Sequence, residues 1–529
     1  MRKAHGAADR LIIEPQDAVD LERLDRIIRS GGQGEEAVRM VSGNKFLGPN
    51  RFGKMFPDLE PFRPPDEALE DLGRAMVETD PDSAAGNVSD LPAGYTYLGQ
   101  FIDHDLSFDK TEDFPQIGDP ELIEQARTPT LELDSLYGLG PALHPEFYEA
   151  HTPAPRALFR IGLTSSIPSS GGVGLPDVPV SLPNDLPRGA DKLAVIGDPR
   201  NDENTIVAQT HLALLKFHNR VMAKGPQRGP GGEGTPFERA RREVRWHYQW
   251  IILNDFLPRL VDSSVLDDVR SNGRRFYQFD GDPFDGSPFM PLEFSVAAYR
   301  LGHSMIRESY NFNRVFAHKS VEPTALIEAT LGLLFAFTGS GGFLPAPPGT
   351  HTALPSNWII DWRRFYDVGR PDLLNFARRL DTTVVPALHN LPGTPPRFRS
   401  LAVRNLLRGS RLGLPTGQDV AAAMEVTALG PEEVASGEDG PLLREHGFHE
   451  RTPLWYYVLK EAELQSSGQR LGAVGSRIVA EVFFGLIEGD RTSFLANGRN
   501  WRPTLPSATP GSFTMPDLLR FVNDLNPIG

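Results

Sequence analysis

The segment Gly99-Gln100-Phe101-Ile102-Asp103-His104-Asp105 sets one histidine between two carboxylates, directly after a run of aromatic and apolar residues. On a helix, Gln100, His104 and Phe108 share one face, which places a titratable imidazole at the edge of an apolar pocket. A neutral imidazole there can take a proton from a peroxide and return it to the departing oxygen. The residues alone also allow a solvated turn or a non-haem metal site, because carboxylate and imidazole suit several divalent ions.

The segment Gly197-Asp198-Pro199-Arg200-Asn201-Asp202-Glu203 offers positive charge, which peroxide cleavage needs near the leaving hydroxide. The guanidinium of Arg200 stays protonated at any working pH. Glu203 follows one helical turn later, so the two side chains can face the same cavity. An ion pair within one helix is the alternative interpretation of this spacing.

The segment Arg300-Leu301-Gly302-His303 lies in a nearly all-apolar stretch, which predicts a buried histidine. The ring could be a core residue with a satisfied hydrogen bond, or a haem-iron ligand that binds through one nitrogen and donates from the other. Asn405 is a candidate acceptor for that second N–H, and Arg408, one turn later, could meet a haem propionate. A neutral amide partner would favour a more oxidising iron than a carboxylate would.

Oxygen-bearing and apolar residues alternate from Thr128 to Asp134. The alternation is typical of a half-exposed strand, and it also suits a calcium loop, because this hard cation takes about six to eight oxygen ligands. In the second interpretation Asp105 adds a further carboxylate and ties the loop to the helix of His104. The candidate ligands in the loop are Thr128, Thr130, Glu132 and Asp134.

The chain has 529 residues, a formal net charge of -15 and no cysteine. The negative charge argues against a nucleic-acid or anionic-membrane partner, because phosphate groups would be repelled. The lack of cysteine excludes disulfides, thiolate metal sites, iron–sulfur clusters and a cysteine nucleophile. No run approaches ~18 apolar residues, and the N-terminus lacks the apolar segment of a secretory signal. We therefore expect no membrane span, and a cytoplasmic location or leaderless secretion.

The hydrophobic periodicity predicts a mainly α-helical chain with few short strands. Residues 1–44 are predicted to form an N-terminal extension with a short helical segment over 18–28, and residues 45–529 one large domain. Glycine-rich stretches, such as 171–174, predict loops. Longer helices are expected from Asn204 to Lys224, from Phe237 to Leu260 with a stop at Pro258, from Glu293 to Arg307, and from Arg470 to Leu486.

Taken in chain order, these segments resemble the haem pocket of the peroxidase–cyclooxygenase superfamily, the animal-type haem peroxidases. The resemblance covers roughly residues 46–522 and implies a large single-domain haem peroxidase fold that holds haem b and calcium. On the distal side, it implies that His104 is the catalytic histidine, Gln100 its neighbour and Arg200 the distal arginine. On the proximal side, it implies that His303 is the iron ligand and Asn405 its hydrogen-bond partner, and that Arg300 and Arg408 bind the cofactor. It also matches Asp103 and Glu203 to carboxylates that can become ester-linked to haem methyl groups, and Asp105, Thr128, Thr130, Glu132 and Asp134 to calcium ligands.

The activity implied by the resemblance is the use of hydrogen peroxide to oxidise small donors through a ferryl species. Asn204 stands where the most strongly oxidising member carries a methionine bonded to haem. This departure favours bromide, iodide, thiocyanate or small aromatic donors over chloride. Animal members carry disulfides, so the absence of cysteine implies a bacterial or otherwise disulfide-independent member.

Two other functions are compatible with such a fold. Fatty-acid dioxygenases of the superfamily place a radical-forming tyrosine three residues before the proximal histidine. Here Arg300 holds that position, and Tyr299 is one residue off, which turns its side chain by about 100° on a helix. An adhesion protein could keep the fold without the chemistry, but the chain contains no Arg-Gly-Asp or Lys-Gly-Asp tripeptide. The resemblance therefore favours a peroxidase.

Overall fold

The structure, a computed structural model, describes residues 52–79, 87–108, 127–166, 178, 180–226, 234–279, 288–339, 353–391, 395–497 and 500–529. The predicted extension over 1–44, the domain boundary at residue 45 and the glycine-rich stretch 171–174 lie outside these residues. The described chain is mainly helical, which confirms the predicted fold class.

Helices are the main regular structure in the described residues. The longer ones are α1 (Asp66–Ala75), α2 (Gly94–Leu106), α3 (Thr205–Lys224), α4 (Pro236–Ile251), α5 (Ser263–Asn272), α6 (Leu401–Arg411), α7 (Gly417–Ala423), α8 (Leu454–Ser466), α9 (Ala473–Gly489) and α10 (Met515–Val522). Shorter α-helical turns lie at Asp134–Tyr137, Leu257–Leu260, Gly302–Met305, Leu331–Leu334, Pro431–Val434, Gly440–Glu445 and Phe494–Asn497.

Strands are short and pair two by two. The pairs are β1 (Phe52–Gly53) with β3 (Met290–Pro291) in parallel, β2 (Val88–Pro92) with β6 (Phe376–Arg378) in antiparallel, and β4 (Ser309–Tyr310) with β5 (Ala329–Thr330) in antiparallel. Within the described ranges, each of these sheets has two strands, so helix packing forms the core.

The predicted central helices are present, and their ends have clear chemical causes. Asn204 caps α3, because its side chain accepts the N–H of Val207 at 3.0 Å. Thr235 begins α4 with a capping box. The predicted stop at Pro258 is wrong. A π-helix over Ile252–Phe256 leads into a new α-turn, Leu257–Leu260, and a proline in a first turn loses no hydrogen bond.

The predicted helix from Glu293 to Arg307 is helical but not continuous. It runs as a π-helix over Glu293–Ala297, a 3-10 helix over Ala298–Leu301 and an α-turn over Gly302–Met305. The backbone breaks at Ala297, where φ is -124° and ψ is -80°. We call residues 293–305 the proximal segment. The break changes where its later side chains point, and hydrophobic periodicity does not reveal it.

The site lies between elements that pack on both sides of the proximal segment. Helix α2 packs against α3, and α3 packs against α4 and α10. The proximal segment contacts α6, α8 and α9. Helix α9 is buried along most of its length. In the part of the chain that the structure describes, no helix is both long and apolar enough to span a bilayer.

Candidate active site

Helix α2 carries a group of predicted site residues within its last two turns. Its first turns are aromatic and anchor it in the core. The hydroxyl of Tyr95 donates to the carboxylate of Asp255 at 2.9 Å. The ring of Tyr97 meets that of Tyr310 edge-on, with 5.8 Å between centroids. The residues fixed in this way are Gln100, Asp103, His104 and Asp105.

His104 is almost fully buried, with 6% of its surface exposed. Its Nδ1 lies 2.9 Å from Oδ1 of Asn201. Burial lowers the pKa of His104 to about 4, and the nearby guanidinium of Arg200 acts in the same direction. The imidazole is therefore neutral near pH 7 and can accept a proton there.

Arg200 lies on a 3-10 helix, Pro199–Asp202, that Asp198 caps by accepting the backbone N–H of Arg200 at 2.9 Å. Its Nη2 donates to the carbonyl oxygens of His104 (2.9 Å) and Ser107 (2.7 Å), at the end of α2. The guanidinium lies 4.4 Å from the ring centroid of Phe108. Arg200 is thus fixed directly beside the helix of His104.

Asp198 holds two guanidinium groups from a fully buried position. It accepts from Nη2 of Arg200 at 2.8 Å and from Nη2 of Arg127. Burial alone would raise the pKa of Asp198, but the charges of Arg200 and Arg127 hold it well below its usual value. Asp198 therefore stays ionised and balances the positive charge of both arginines.

Gln100 links helix α2, which carries the candidate distal histidine, to the start of α3. Its amide nitrogen donates to the carboxylate of Glu203, and its amide oxygen accepts from Asn204 at 3.1 Å. Burial raises the pKa of Glu203 to about 7, although Arg200 lowers it in part. The second candidate carboxylate, Asp103, follows Gln100 by one turn of α2.

His303 lies on the last turn of the proximal segment and is partly accessible. Its Nδ1 lies 2.8 Å from Nδ2 of Asn405, so the predicted pairing is present. The sequence predicts Asn405 as the acceptor, whereas here its nitrogen faces the ring. A half-turn of the amide about its last bond exchanges nitrogen for oxygen, and Nδ1 would then donate. Nε2 would carry the lone pair that an iron ligand needs.

Arg300 connects the two halves of the site. Its Nη1 lies 3.4 Å from Oδ2 of Asp103 on α2, and its Nε donates to the carbonyl of Ser295 at 2.8 Å. Burial alone would raise the pKa of Asp103, but Arg300 and other nearby positive groups lower it. The ion pair brings the proximal segment to the distal helix.

A cavity of about 220 Å³ opens beside these groups. Apolar side chains, including Leu292, Val296 and Phe52, line part of it. Gln100, Asp103, His104 and Glu203 are not among its lining residues and lie on the α2 side, linked to it through Arg200 and Arg300. The polar lining comprises Arg200, Arg300, His303, Arg404, Asn405 and Arg408, with Ser107 and Ser295.

The model of the family described as animal haem peroxidase matches residues 168–341 of this chain. The match includes Arg200, Glu203, Arg300 and His303. Peroxidase A from Dictyostelium discoideum has the same fold, with a TM-score of 0.51 and 16% identity over 90% of this chain and 92% of that chain. Residues 168–341 are thus similar to the animal haem peroxidase family, and the chain shares the fold of this peroxidase.

Two further proteins are similar to this chain, one in fold and one in part of its sequence. A fatty acid alpha-dioxygenase from Oryza sativa aligns with a TM-score of 0.53 and 13% identity, over 88% of this chain and 79% of that chain. A peroxidase-like protein from Margaritifera margaritifera is 26% identical over 231 residues, which is 41% of this chain and 26% of that protein. The matched part of the chain covers between 19% and 39% of the length of these curated relatives.

The family to which residues 168–341 are similar is a haem peroxidase family, and the residues that line the cavity suit haem. The ring of His303 lines the cavity, and a Cβ built on Gly302 would meet no atom within 4 Å. Four guanidinium groups line the same space, and a haem carries two carboxylates. His303 would hold the iron, and the arginines Arg300, Arg404 and Arg408 would receive the propionates.

The candidate calcium ligands of this haem peroxidase fold are brought together only in part. The residues from 128 to 133 form an irregular loop rather than a strand. Asp105 accepts the hydroxyl of Ser135 at 2.8 Å, and burial with the neighbouring Asp134 raises the pKa of Asp105 well above its usual value. Within the described ranges, no three acidic or histidine side chains form a metal-binding group. Thr128, Thr130 and Glu132 lie on the loop before Asp134.

The sequence analysis did not predict several polar residues that hold the candidate site residues. Asp198 and Asn201 flank Arg200 in the motif, and their types alone suggest only a helix cap. Arg127 directly precedes the candidate calcium loop, and its contact with Asp198 crosses 71 residues of sequence. Arg404 lies one turn before Arg408 on the same face of α6. This spacing could have predicted that Arg404 lines the site together with Arg408.

Proposed function

We propose that this chain is a haem peroxidase that uses hydrogen peroxide to oxidise halides, pseudohalides or small aromatic donors. One observation carries the proposal: His303, paired with Asn405, reaches a cavity lined by four guanidinium groups, beside a distal histidine held by Arg200. A histidine with a fixed second nitrogen is the usual protein ligand of haem iron.

Bound haem would supply the redox chemistry that passes two electrons to the peroxide and takes them from the donor. The chain's own residues move protons and balance charge. The neutral imidazole of His104 accepts a proton from one peroxide oxygen and returns it to the other as the O–O bond breaks. Arg200 lies beside this imidazole, and its fixed positive charge favours the departing negative oxygen. Gln100, bonded to Glu203 and Asn204, closes the same side of the site.

The donor class follows from charge and from position 204. The polar wall of the cavity is rich in guanidinium groups, which attract small anions. The amide of Asn204 is already used by Gln100 and by the start of α3, and it cannot form a sulfonium link. We therefore propose bromide, iodide, thiocyanate or small aromatic molecules as donors. The absence of cysteine supports a bacterial member of the superfamily.

The ester links to haem are a separate part of the proposal. Asp103 is held by Arg300, and Glu203 by Gln100, so both carboxylates are fixed near the distal helix. If they bond to haem methyl groups, denaturation in acid and organic solvent will leave haem on the chain, and Asp103→Asn with Glu203→Gln will release it. Complete release from the wild-type chain contradicts the ester links and leaves the peroxidase proposal standing.

A fatty-acid dioxygenase is the second candidate, since such enzymes share the fold. The structure supports the peroxidase instead. Arg300 occupies the place three residues before His303, and its side chain pairs with Asp103. The hydroxyl of Tyr299 donates to the carbonyl of Gly99 at 3.3 Å, and its ring stacks on Phe294. Tyr299 is not among the residues that line the cavity. Oxygen uptake with a polyunsaturated fatty acid, without added peroxide, would favour the dioxygenase.

The test compares the two histidines in the full chain. His104→Ala should retain the haem absorption of the wild-type chain but react with hydrogen peroxide about 10²–10⁴-fold more slowly, the usual contribution of a general acid–base. His303→Ala should lower haem affinity itself, measured by titration of the absorption spectrum. His318→Ala is the control, since His318 is exposed and its ring bonds only to nearby Ser320 within the described chain.

The wild-type reaction is then measured with bromide, iodide, thiocyanate and an aromatic donor. Failure of the wild-type chain to bind haem, or to react with peroxide once loaded, would overturn the proposed function. Reaction with peroxide but with none of the four donors would retain the peroxidase and contradict the donor class.

A further inference from the structure

Asn201 forms a bridge between two buried histidines. Its Oδ1 lies 2.9 Å from Nδ1 of His104, and its Nδ2 lies 3.0 Å from Nδ1 of His211. Asn201 and His211 are both fully buried. His211 comes from α3 and His104 from α2, so the amide joins the two helices at the level of the distal histidine.

The two ends of an amide have different chemistry, which decides where the ring protons lie. In this orientation of the amide, the oxygen that faces His104 only accepts, so Nδ1 of His104 carries a hydrogen and donates it. An amide nitrogen only donates, so Nδ1 of His211 must be unprotonated and accept. A neutral imidazole has one N–H, and Nε2 of His104 is therefore left with a lone pair.

We propose that Asn201 is a positioning residue that fixes the tautomer and the ring orientation of His104, and that His211 fixes Asn201 in turn. This inference deepens the proposed peroxidase function and rests on it. A distal base must present an unprotonated nitrogen to the peroxide, and in this arrangement that nitrogen is Nε2. In the reverse orientation of the amide, Nε2 would carry the hydrogen and could not accept one.

The neighbouring residue holds the backbone of the same histidine. Arg200 donates to the carbonyl of His104 at 2.9 Å, while Asn201 holds its ring. Both lie on the 3-10 helix Pro199–Asp202, and the N–H of Asn201 donates to the carbonyl of Asp198 at 3.0 Å. Consecutive residues of one short helix thus fix the main chain and the side chain of the distal base.

His211 is placed to act only through Asn201. Its ring packs edge-on to that of Phe101, with 5.8 Å between centroids. Its Nε2 is buried and has no hydrogen-bond partner in the described ranges. The same helix carries His218, which is equally buried but pairs with Tyr137 and the carbonyl of Ala157. His218 is therefore a matched control for His211.

The kinetic experiment measures the rate constant for reaction of the haem-loaded full chain with hydrogen peroxide, by stopped-flow absorption. Asn201→Leu removes both hydrogen bonds and should slow the reaction about 10–100-fold, part of the general-base contribution. Asn201→Asp keeps an acceptor for Nδ1 of His104 and should slow it about 5-fold or less. His211→Phe should slow it about 3–10-fold, and His218→Phe should not change it.

A double substitution separates positioning from a general structural effect. In a His104→Leu background there is no imidazole to position, so adding Asn201→Leu should leave the rate unchanged. Additive losses would show that Asn201 acts by another route and would overturn the inference. Equal rates for Asn201→Leu and the wild-type chain would also overturn it.

The tautomer has a direct readout that does not depend on turnover. In the diamagnetic ferrous carbon monoxide complex, ¹⁵N-histidine labelling and two-bond ¹H–¹⁵N correlations distinguish Nδ1–H from Nε2–H rings, and the signal missing in His104→Leu assigns His104. We expect Nδ1–H in the wild-type chain and in Asn201→Asp, and loss of that preference in Asn201→Leu. An Nε2–H ring in the wild-type chain would overturn the inference even if the chain is a peroxidase. A wild-type chain that does not react with peroxide would instead overturn the proposed function.

Discussion

At the scale of single residues, Asp198 balances the positive charge of two arginines. It is fully buried and faces the guanidinium groups of Arg200 and Arg127. Replacing it by asparagine would leave two positive groups without their shared carboxylate. Breaking a buried ion pair in this way costs about 3–5 kcal/mol. Asp198→Asn should therefore lower the free energy of unfolding by roughly this amount, measured by urea denaturation.

The same substitution should affect the peroxide reaction, because Arg200 would lose the ligand of its Nε and Nη2 atoms. We expect a rate about 10-fold lower, with the haem spectrum retained. Asp372→Asn is the control, since Asp372 pairs with Arg370 on the surface and such pairs contribute little. Unchanged stability and rate in Asp198→Asn would show that a neutral amide at this position can hold both arginines by hydrogen bonds alone.

The candidate site residues could be predicted from residue types and from the family resemblance, but the contacts that support them could not. His104, Arg200, His303 and Asn405 were predicted from spacing, and the structure brings His303 to Asn405 and Arg200 to His104. Asn201 escaped because an asparagine in a short polar segment has many local explanations. Its role depends on which histidine lies near each end of its amide, and that follows only from the packing of α2 against α3.

At the scale of elements, the candidate calcium loop brings two buried carboxylates together. Asp105 and Asp134 lie close together in a buried region, where two carboxylates repel each other. Arg127 lies 3.8 Å from Asp134 and compensates part of their charge. A calcium ion bound by the carboxylate oxygens would compensate the rest.

We expect calcium to raise the thermal midpoint of unfolding relative to the same protein in EGTA. A ligand at about 100 times its Kd adds about 2.7 kcal/mol to stability. Asp134→Asn should abolish the difference, whereas Asp372→Asn should retain it. Scanning calorimetry with calcium, magnesium or EGTA provides the measurement. An identical midpoint in all three solutions would mean that Arg127 alone balances the carboxylates.

Helix α9 depends on a carboxylate from another helix. Glu461 of α8 is fully buried and accepts the N–H groups of Val474 (3.0 Å) and Gly475 (3.2 Å) in the first turn of α9. Burial raises the pKa of Glu461 to about 7, and these hydrogen bonds oppose the shift. The folded state thus binds this proton more tightly than the unfolded chain does.

The sign of the pH effect follows from proton linkage. Below about pH 4.5 the carboxyl of Glu461 is protonated in both states and contributes no pH dependence. As the pH rises from there through about 7, the unfolded chain releases the proton first, so the folded state loses stability, on the order of 2–3 kcal/mol. Glu461→Gln should remove this part of the decline between pH 5 and 8 in urea denaturation. Glu450→Gln, on the surface, should not, and a decline of equal size in Glu461→Gln would contradict the assignment.

Regular elements were predictable from periodicity, whereas the proximal segment was not. Helices α3 and α4 have one polar side or clear caps, so their patterns mark both position and ends. Most of residues 293–305 are buried. Such a sequence cannot distinguish π, 3-10 and α hydrogen bonding, because each would bury the same side chains. The irregular backbone of this segment therefore could not be predicted from the sequence.

At the scale of the whole molecule, the predicted division is an extension over 1–44 and a domain over 45–529. The first described strand, β1, contributes to the cavity wall of that domain. Phe52 is 4% exposed, lines the cavity and pairs with Met290 in β3. The N–H groups of Met55 and Phe56 donate to the buried carboxylate of Glu293, at 3.0 and 3.1 Å, where the proximal segment begins.

Two truncations test this division. A chain that begins at residue 45 keeps all of these contacts and should match the full chain in thermal midpoint and in haem affinity. A chain that begins at residue 58 lacks Phe52 in the cavity wall and leaves Glu293 buried without the two donors. An unsatisfied buried charged group costs upward of about 1–3 kcal/mol, so this chain should be less stable and bind haem more weakly. Calorimetry and haem titration measure both properties. A large loss already in the chain from residue 45 would show that the first 44 residues belong to the same domain as the rest of the chain.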